Sequence, residues 1–152
     1  MPAKVANPRK QFQFNISIPG LNPFLAQKVK SPDDESDMVE HGDTNFIVKT
    51  AGIRKFGMLT IEKIQPSETT DNFIWAWRRQ ITNTTTGGGD LPSNYKQTLL
   101  IEQLAPDGIT VVQRWEASGA WPQKINGIEF DRKGSENTVE SIDFCIDEFD
   151  TI

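Results

Sequence analysis

The sequence predicts a mainly β protein: an antiparallel β-barrel or sandwich of six or seven strands with one flanking α-helix and a long projecting arm. Three observations carry this reading. Short apolar runs of period two recur along the chain, the spacing that sends alternate side chains to opposite faces of a sheet. The runs are joined by hairpin-type turns rather than by crossover helices. Only one stretch, near 71–81, has the 3.6-residue period of a surface helix.

Residues 12–18, "FQFNISI", put Phe12, Phe14, Ile16 and Ile18 on one face and Gln13, Asn15 and Ser17 on the other, a half-buried strand. "PGLNP" at 19–23 is a turn, because Pro19 presets φ and Gly20 tolerates a positive one. A second strand is expected at about 24–30. The polar, acidic "SPDDESDMVEHGDTN" (31–45) has turn formers at both ends and little to hold it on a core, so it is a projecting loop or an exposed ribbon. "FIVKTAGIRKFG" (46–57) is apolar but broken by Gly52 and Gly57, which argues for an extended arm rather than one regular strand. "MLTIEKI" (58–64) is the next strand.

The helix is expected from about Asp71 to Ile81, capped by Thr70 or Asp71. Phe73, Ile74, Trp77 and Ile81 share its inner face and Trp75 lies opposite. The glycine triplet in "TNTTTGGGDLPSN" (82–94) marks a loop. Two strands, "YKQTLLIEQL" and "ITVVQRWE", are joined by "APDG", whose Gly108 suits the left-handed position of a hairpin turn. A further loop over 119–137 leads to "ENTVESIDFCIDEF" (136–149), read as one strand. Its apolar set is Ile142, Phe144 and Ile146; its other set is Ser141, Asp143, Cys145 and Asp147.

The totals fit one domain of 152 residues with a formal charge of −5. The single cysteine, Cys145, excludes an intrachain disulfide and a multi-cysteine metal site. The first residues lack an apolar h-region and no segment approaches a membrane span, so a soluble protein made in the cytoplasm is expected. The net negative charge argues against a surface that coats nucleic acid.

Catalytic motifs are weak. His41 lies near Asp43, but no nucleophile elbow accompanies them and a solvated loop histidine is the simpler reading. "TGGGD" lacks the lysine and hydroxyl residue of a phosphate loop. "DDESD" lacks the sixth-position glycine and distal glutamate of a calcium loop. No cofactor, no metal and no enzymatic activity are expected.

Four stretches, "VEHGDTN" (39–45), "KTAGIRKFGMLTIEK" (49–63), "FIWAWRRQI" (73–81) and "ASGAWPQKI" (117–125), stand in an order and spacing that resemble the tail tube proteins of contractile-tailed bacteriophages and related injection particles. "AWPQK" is the most specific piece, and "VESIDFCIDEF" occupies the place of the closing strand. The chain departs from the commoner pattern in "TAG" before the basic arm and in the inserted "TTTGGGDLPSN".

The resemblance implies a single tail-tube domain over 1–152, with an N-terminal arm at 1–11 and a projecting loop or arm at 31–57. It implies a structural virion protein of the phage tail that forms homo-hexameric rings stacked into a tube. Its partners would be the tail sheath, tape measure, baseplate and tail terminator proteins. DNA would pass through without specific binding, and no membrane is involved. Two alternatives are a tube protein of a bacterial injection or secretion apparatus carrying protein cargo and, from a different class, a ligand-binding β-barrel.

Three sets of residues follow as expectations. Trp75, Arg78 and Arg79, off the core stripe of the helix, face a neighbouring subunit or the sheath. Phe46, Ile47, Val48, Ile53, Arg54 and Lys55 form an arm that reaches the next ring, where the two cations meet carboxylates. Asp143 and Asp147, with Glu102 and Glu62, face the channel, where repeated carboxylates keep DNA from binding. Cys145 is a small wall residue on the same face.

Overall fold

The computed structural model describes residues 8–18, 20, 26–42, 45–66 and 72–152. The expected turn at Pro19, the first residues of the second strand, the helix caps Thr70 and Asp71, Asp43, and most of the N-terminal arm lie outside them. Nine strands and two helices are described: β1 (Phe14–Ser17), β2 (Ala26–Lys30), β3 (Asp34–Gly42), β4 (Ile47–Phe56), β5 (Leu59–Ile64), α1 (Phe73–Ile81), α2 (Pro92–Tyr95), β6 (Gln97–Leu104), β7 (Val111–Ile125), β8 (Val139–Cys145) and β9 (Glu148–Thr151).

Seven strands make one antiparallel sheet in the order β1-β6-β7-β8-β5-β2, with β9 added beside β7; among the described residues β3 and β4 pair only with each other. The long β7 belongs to two halves. Its first part pairs with β6 and β9, and residues from Trp121 onward pair with β8. The transfer occurs at Gly119, whose φ is +65°, where the β6 register slips by a bulge. A side chain there would run into the Asp147 carboxylate.

Period-two alternation explains the core. Leu59 and Ile61 of β5, Leu99 and Ile101 of β6, Ala117 and Ala120 of β7, and Ile142 and Phe144 of β8 turn inward to one cluster with Ile16, Ile146, Ile74 and Trp77. Helix α1 covers this cluster. The Trp77 ring lies 5.7 Å from that of Phe144, and Trp77 Nε1 donates to the Tyr95 carbonyl at 2.6 Å. Burial of a large aromatic with its polar N–H satisfied is what fixes a nine-residue helix too short to persist alone.

Four expectations are corrected. The loop placed at 119–137 begins late, because β7 runs on through "AWPQKI" to Ile125. The closing strand at 136–149 is two strands: it breaks at Ile146 and Asp147, where the chain crosses from β8 in one half to β9 in the other. The loop at 82–94 contains the one-turn α2. The stretch 46–57 holds a ten-residue strand, β4, whose bulge at Gly52 and Ile53 opposes Asp37. The glycine triplet also has a physical role: Gly89 packs so closely on the Ile81 carbonyl that a Cβ has no room, and the Asp90 amide donates to the Gln80 carbonyl at 3.0 Å.

Candidate assembly surfaces

The β3–β4 ribbon is exposed along nearly its whole length. Its register pairs His41 with Val48 and Gly42 with Ile47, so Val39 and Val48 share one face while Met38 and Ile47 share the other. All four are exposed, as are Phe46 and Ile53. A two-stranded ribbon with water on both faces is marginal by itself. At its base the Gly57 amide donates to the Asp33 carbonyl at 2.8 Å, and Arg54 grips Asp34 through two bonds of 2.9 and 2.6 Å. The guanidinium also lies 5.0 Å over the Phe56 ring, which packs on the core. The arm is thus stiff at its root and apolar farther out.

Arg54 and Lys55 do not wait unpaired for a neighbour. Arg54 is bound to Asp34, and Lys55 to Asp37 at 3.0 Å. The Arg54 hydrogen bonds hold the Asp34 carboxyl below the ordinary carboxylate range. Among the described residues His41 reaches Thr50, 3.4 Å from its Nε2, and it is exposed.

Helix α1 presents Trp75 (41 % exposed) on its outer side with Arg79, while Arg78 is half-buried. The expected division of the helix holds in the geometry: Ile74 and Trp77 are buried.

The four acids expected on one lining do not share one face, because the strand that was to carry two of them breaks. Glu62 and Asp143 do share the outward face of the β2-β5-β8 half, on the side away from α1. There Thr60 donates to Asp143 at 2.9 Å, and the register sets Lys28 beside Glu62, Lys30 beside Thr60 and Lys124 beside Asp143. Cys145 points the same way and is half-buried. Glu102 belongs to the other half, paired with Arg114 at 3.3 Å. Asp147 sits at the crossing, bound to Lys96 at 3.0 Å; its carboxylate raises the Lys96 pKa above the ordinary value.

The acids are more concentrated on the other outward face, where Glu102 is joined by Glu116, Glu148 and Asp150, with Arg114 in register opposite Glu102. Pattern reasoning missed Glu148 and Asp150 because they were read as the tail of β8 or beyond it. It also missed a buried ion pair, Lys63 Nζ to Glu140 Oε2 at 3.0 Å. The signal was present: Lys63 has the parity of Leu59 and Ile61, and Glu140 that of Ile142 and Phe144.

Among the described residues no group of three or more His, Cys, Asp or Glu side chains could hold a metal ion, and no helix is long and apolar enough to cross a membrane.

A family model described as T4-like virus tail tube protein gp19 matches residues 10–150. Tail tube protein gp19 of Enterobacteria phage T4 is 26 % identical over 141 residues, covering 89 % of this chain and 84 % of that protein. Two solved structures have the same fold. The anti-feeding prophage tube terminating cap superposes with a TM-score of 0.82 at 20 % identity, covering all of this chain and 95 % of that one. A chain of the sheath-tube complex of the extracellular contractile injection system PVC superposes with a TM-score of 0.77 at 19 % identity, covering 97 % and 95 %. With the family matched from the first strand to the last, the chain belongs to the T4-like virus tail tube proteins.

Proposed function

We propose that this tail tube protein forms hexameric rings that stack into the tube of a contractile tail, and that it works as a conduit without catalysis. The single observation that carries the reading is the β3–β4 ribbon, whose apolar side chains stand in water on both faces. Such an arm is tolerable only when a second copy covers it. Contacts between unlike surfaces close into rings by rotation and continue as an open stack by translation.

In this reading α1 lies on the outer flank, with Trp75, Arg78 and Arg79 toward a neighbouring subunit or the sheath. The outward face of β2, β5 and β8, directed away from α1, lines the channel, and the tape protein and then DNA pass over it. The protein is a virion tail component whose tube meets the baseplate and terminator at its ends. Negative-stain microscopy of the concentrated protein tests the proposal: hollow tubes or six-fold rings are expected, and a uniform population of monomers defeats it.

One observation favours a second reading, a tube carrying protein cargo. The proposed lining has Glu62 and Asp143 but also Lys28, Lys30 and Lys124 in register beside them. A mixed face repels phosphates less than a row of carboxylates does. Nucleic acid extracted from intact parent particles decides between DNA and protein cargo.

A further inference from the structure

Of the asparagines in the chain, Asn126 alone is followed by glycine, in "KINGIE". Glycine crowds its own amide nitrogen least and lets the backbone turn most freely, so an Asn-Gly pair is where that nitrogen can reach the preceding carboxamide carbon. Asn126 is half-buried and Gly127 exposed, just past the end of β7 at Ile125. Nothing stands within 4 Å of the place a Gly127 side chain would take, so water reaches the pair.

The fold holds one of the two reacting groups and leaves the other loose. The Asn126 backbone amide donates to the Ser141 carbonyl at 2.9 Å. Its carboxamide Nδ2 donates to the same carbonyl at 3.3 Å and to Ser141 Oγ at 3.2 Å. Among the described residues the Gly127 amide has no backbone acceptor. Ser141 stands in register with Glu62, so the carboxamide rests on the outward face of β2, β5 and β8.

We infer that Asn126 is a site of spontaneous covalent modification, deamidation through its own backbone, with water as the co-reactant. The Gly127 nitrogen attacks Asn126 Cγ and gives up its proton. The new N–Cγ bond closes a succinimide, the Cγ–Nδ2 bond breaks, and Nδ2 leaves as ammonia with that proton. Water then opens the ring. Cleavage of the new N–Cγ bond yields aspartate; cleavage of the older bond from that nitrogen to the Asn126 carbonyl carbon yields isoaspartate. Nothing is oxidised or reduced. Either product exchanges the two bonds donated by Nδ2 for a carboxylate, which cannot donate to Ser141 and adds to the charge of Glu62 on that face.

The inference goes beyond the tube reading and does not need it. With that face on the channel, each chain adds one negative charge to the lining as the protein ages.

The test incubates the full-length protein in mildly alkaline buffer, digests it and maps the peptides by mass. The peptide holding Asn126 should gain the mass of amide-to-acid exchange ahead of every other asparagine peptide, with ammonia and isoaspartate appearing alongside. The mass gain separates this from isomerisation at Asp107 and Gly108, which leaves the mass unchanged. Gly127→Ala, whose Cβ has open space and no positive φ to hold, should keep the fold and lose the reaction. Ser141→Ala, which removes the hydroxyl acceptor, should speed it about fivefold, the worth of one typical hydrogen bond. An intact Asn126 in the folded protein at a time when the chain unfolded in guanidinium is fully converted overturns the inference, and so does an unchanged rate in either variant. Failure of the protein to form rings or tubes removes the tube reading and leaves this result standing.

Discussion

Lys63 and Glu140 face each other in register on the inner sides of β5 and β8, 3.0 Å apart, and neither side chain is more than 1 % exposed. Gln65 Nε2 donates to the same Glu140 oxygen at 3.3 Å, the ammonium lies 5.7 Å over the Phe73 ring, and Glu140 Oε1 has no hydrogen-bond partner among the described residues. Removing the Lys63 ammonium leaves the Glu140 carboxylate buried without this cation. Lys63→Ala should therefore cost about 3–5 kcal/mol, whereas Lys63→Met with Glu140→Leu should cost less than Lys63→Ala. Urea denaturation of the two variants measures this, and a double variant weaker than Lys63→Ala contradicts it.

Gly119→Ala should lower stability by about 1–3 kcal/mol, because the new residue must hold a positive φ and its Cβ meets the Asp147 carboxylate. Adding Asp147→Gly removes the clash but not the backbone strain. Thermal unfolding should then show partial recovery; complete recovery would place the whole cost in the clash.

The Arg54 grip gives the ribbon root a defined pH response. Asp34 titrates below the ordinary carboxylate value of about 3.9, chiefly because Arg54 hydrogen-bonds its charged form. A depressed carboxylate pKa contributes stability that is complete above the unfolded value and is lost as pH falls through the folded value. NMR titration of the Asp34 carboxyl should find a midpoint below that of an exposed aspartate, and Arg54→Gln should raise it toward the ordinary value. An unchanged midpoint in Arg54→Gln would detach the shift from the ion pair.

The two helix tryptophans separate packing from association. Trp77→Ala, with the ring buried on Phe144, should cost about 3–5 kcal/mol. Trp75→Ala should change folding by less than about 0.5 kcal/mol and instead reduce the yield of rings, tubes or sheathed particles. Normal particle yields from Trp75→Ala would remove it from the interface.

The sequence disclosed what local alternation governs. The inward set of β8, the inner face of α1 and the hairpin turn at Gly108 follow from periods of two and 3.6 and from one positive φ. It concealed what depends on strand transfer. "AWPQK" contains a proline, which reads as a loop, yet Pro122 is buried opposite Phe144 where β7 slips register. The break at Ile146 and Asp147 depends on Ser118, whose carbonyl accepts the Asp147 amide at 2.9 Å, a partner distant in sequence. For the same reason Asp143 and Asp147 looked like neighbours on one face and are not. Ion pairs were equally hidden, since parity places Glu102 on a face but only β7 supplies Arg114.

The position of β8, between the second part of β7 and β5, bears on when the protein can acquire its shape during synthesis. Leu59 finds Phe144 and Phe14 finds Gln103 across most of the chain, and such distant pairings are slow to form. Until β8 has left the ribosome, β5 lacks its neighbour in the sheet and the helix lacks the Phe144 ring it rests on. A nascent chain without β8 therefore has no finished subunit to offer its neighbours, and polymerisation waits for that strand. A chain truncated after residue 138 should show neither cooperative unfolding nor tubes, and a folded, cooperatively melting fragment would contradict this ordering.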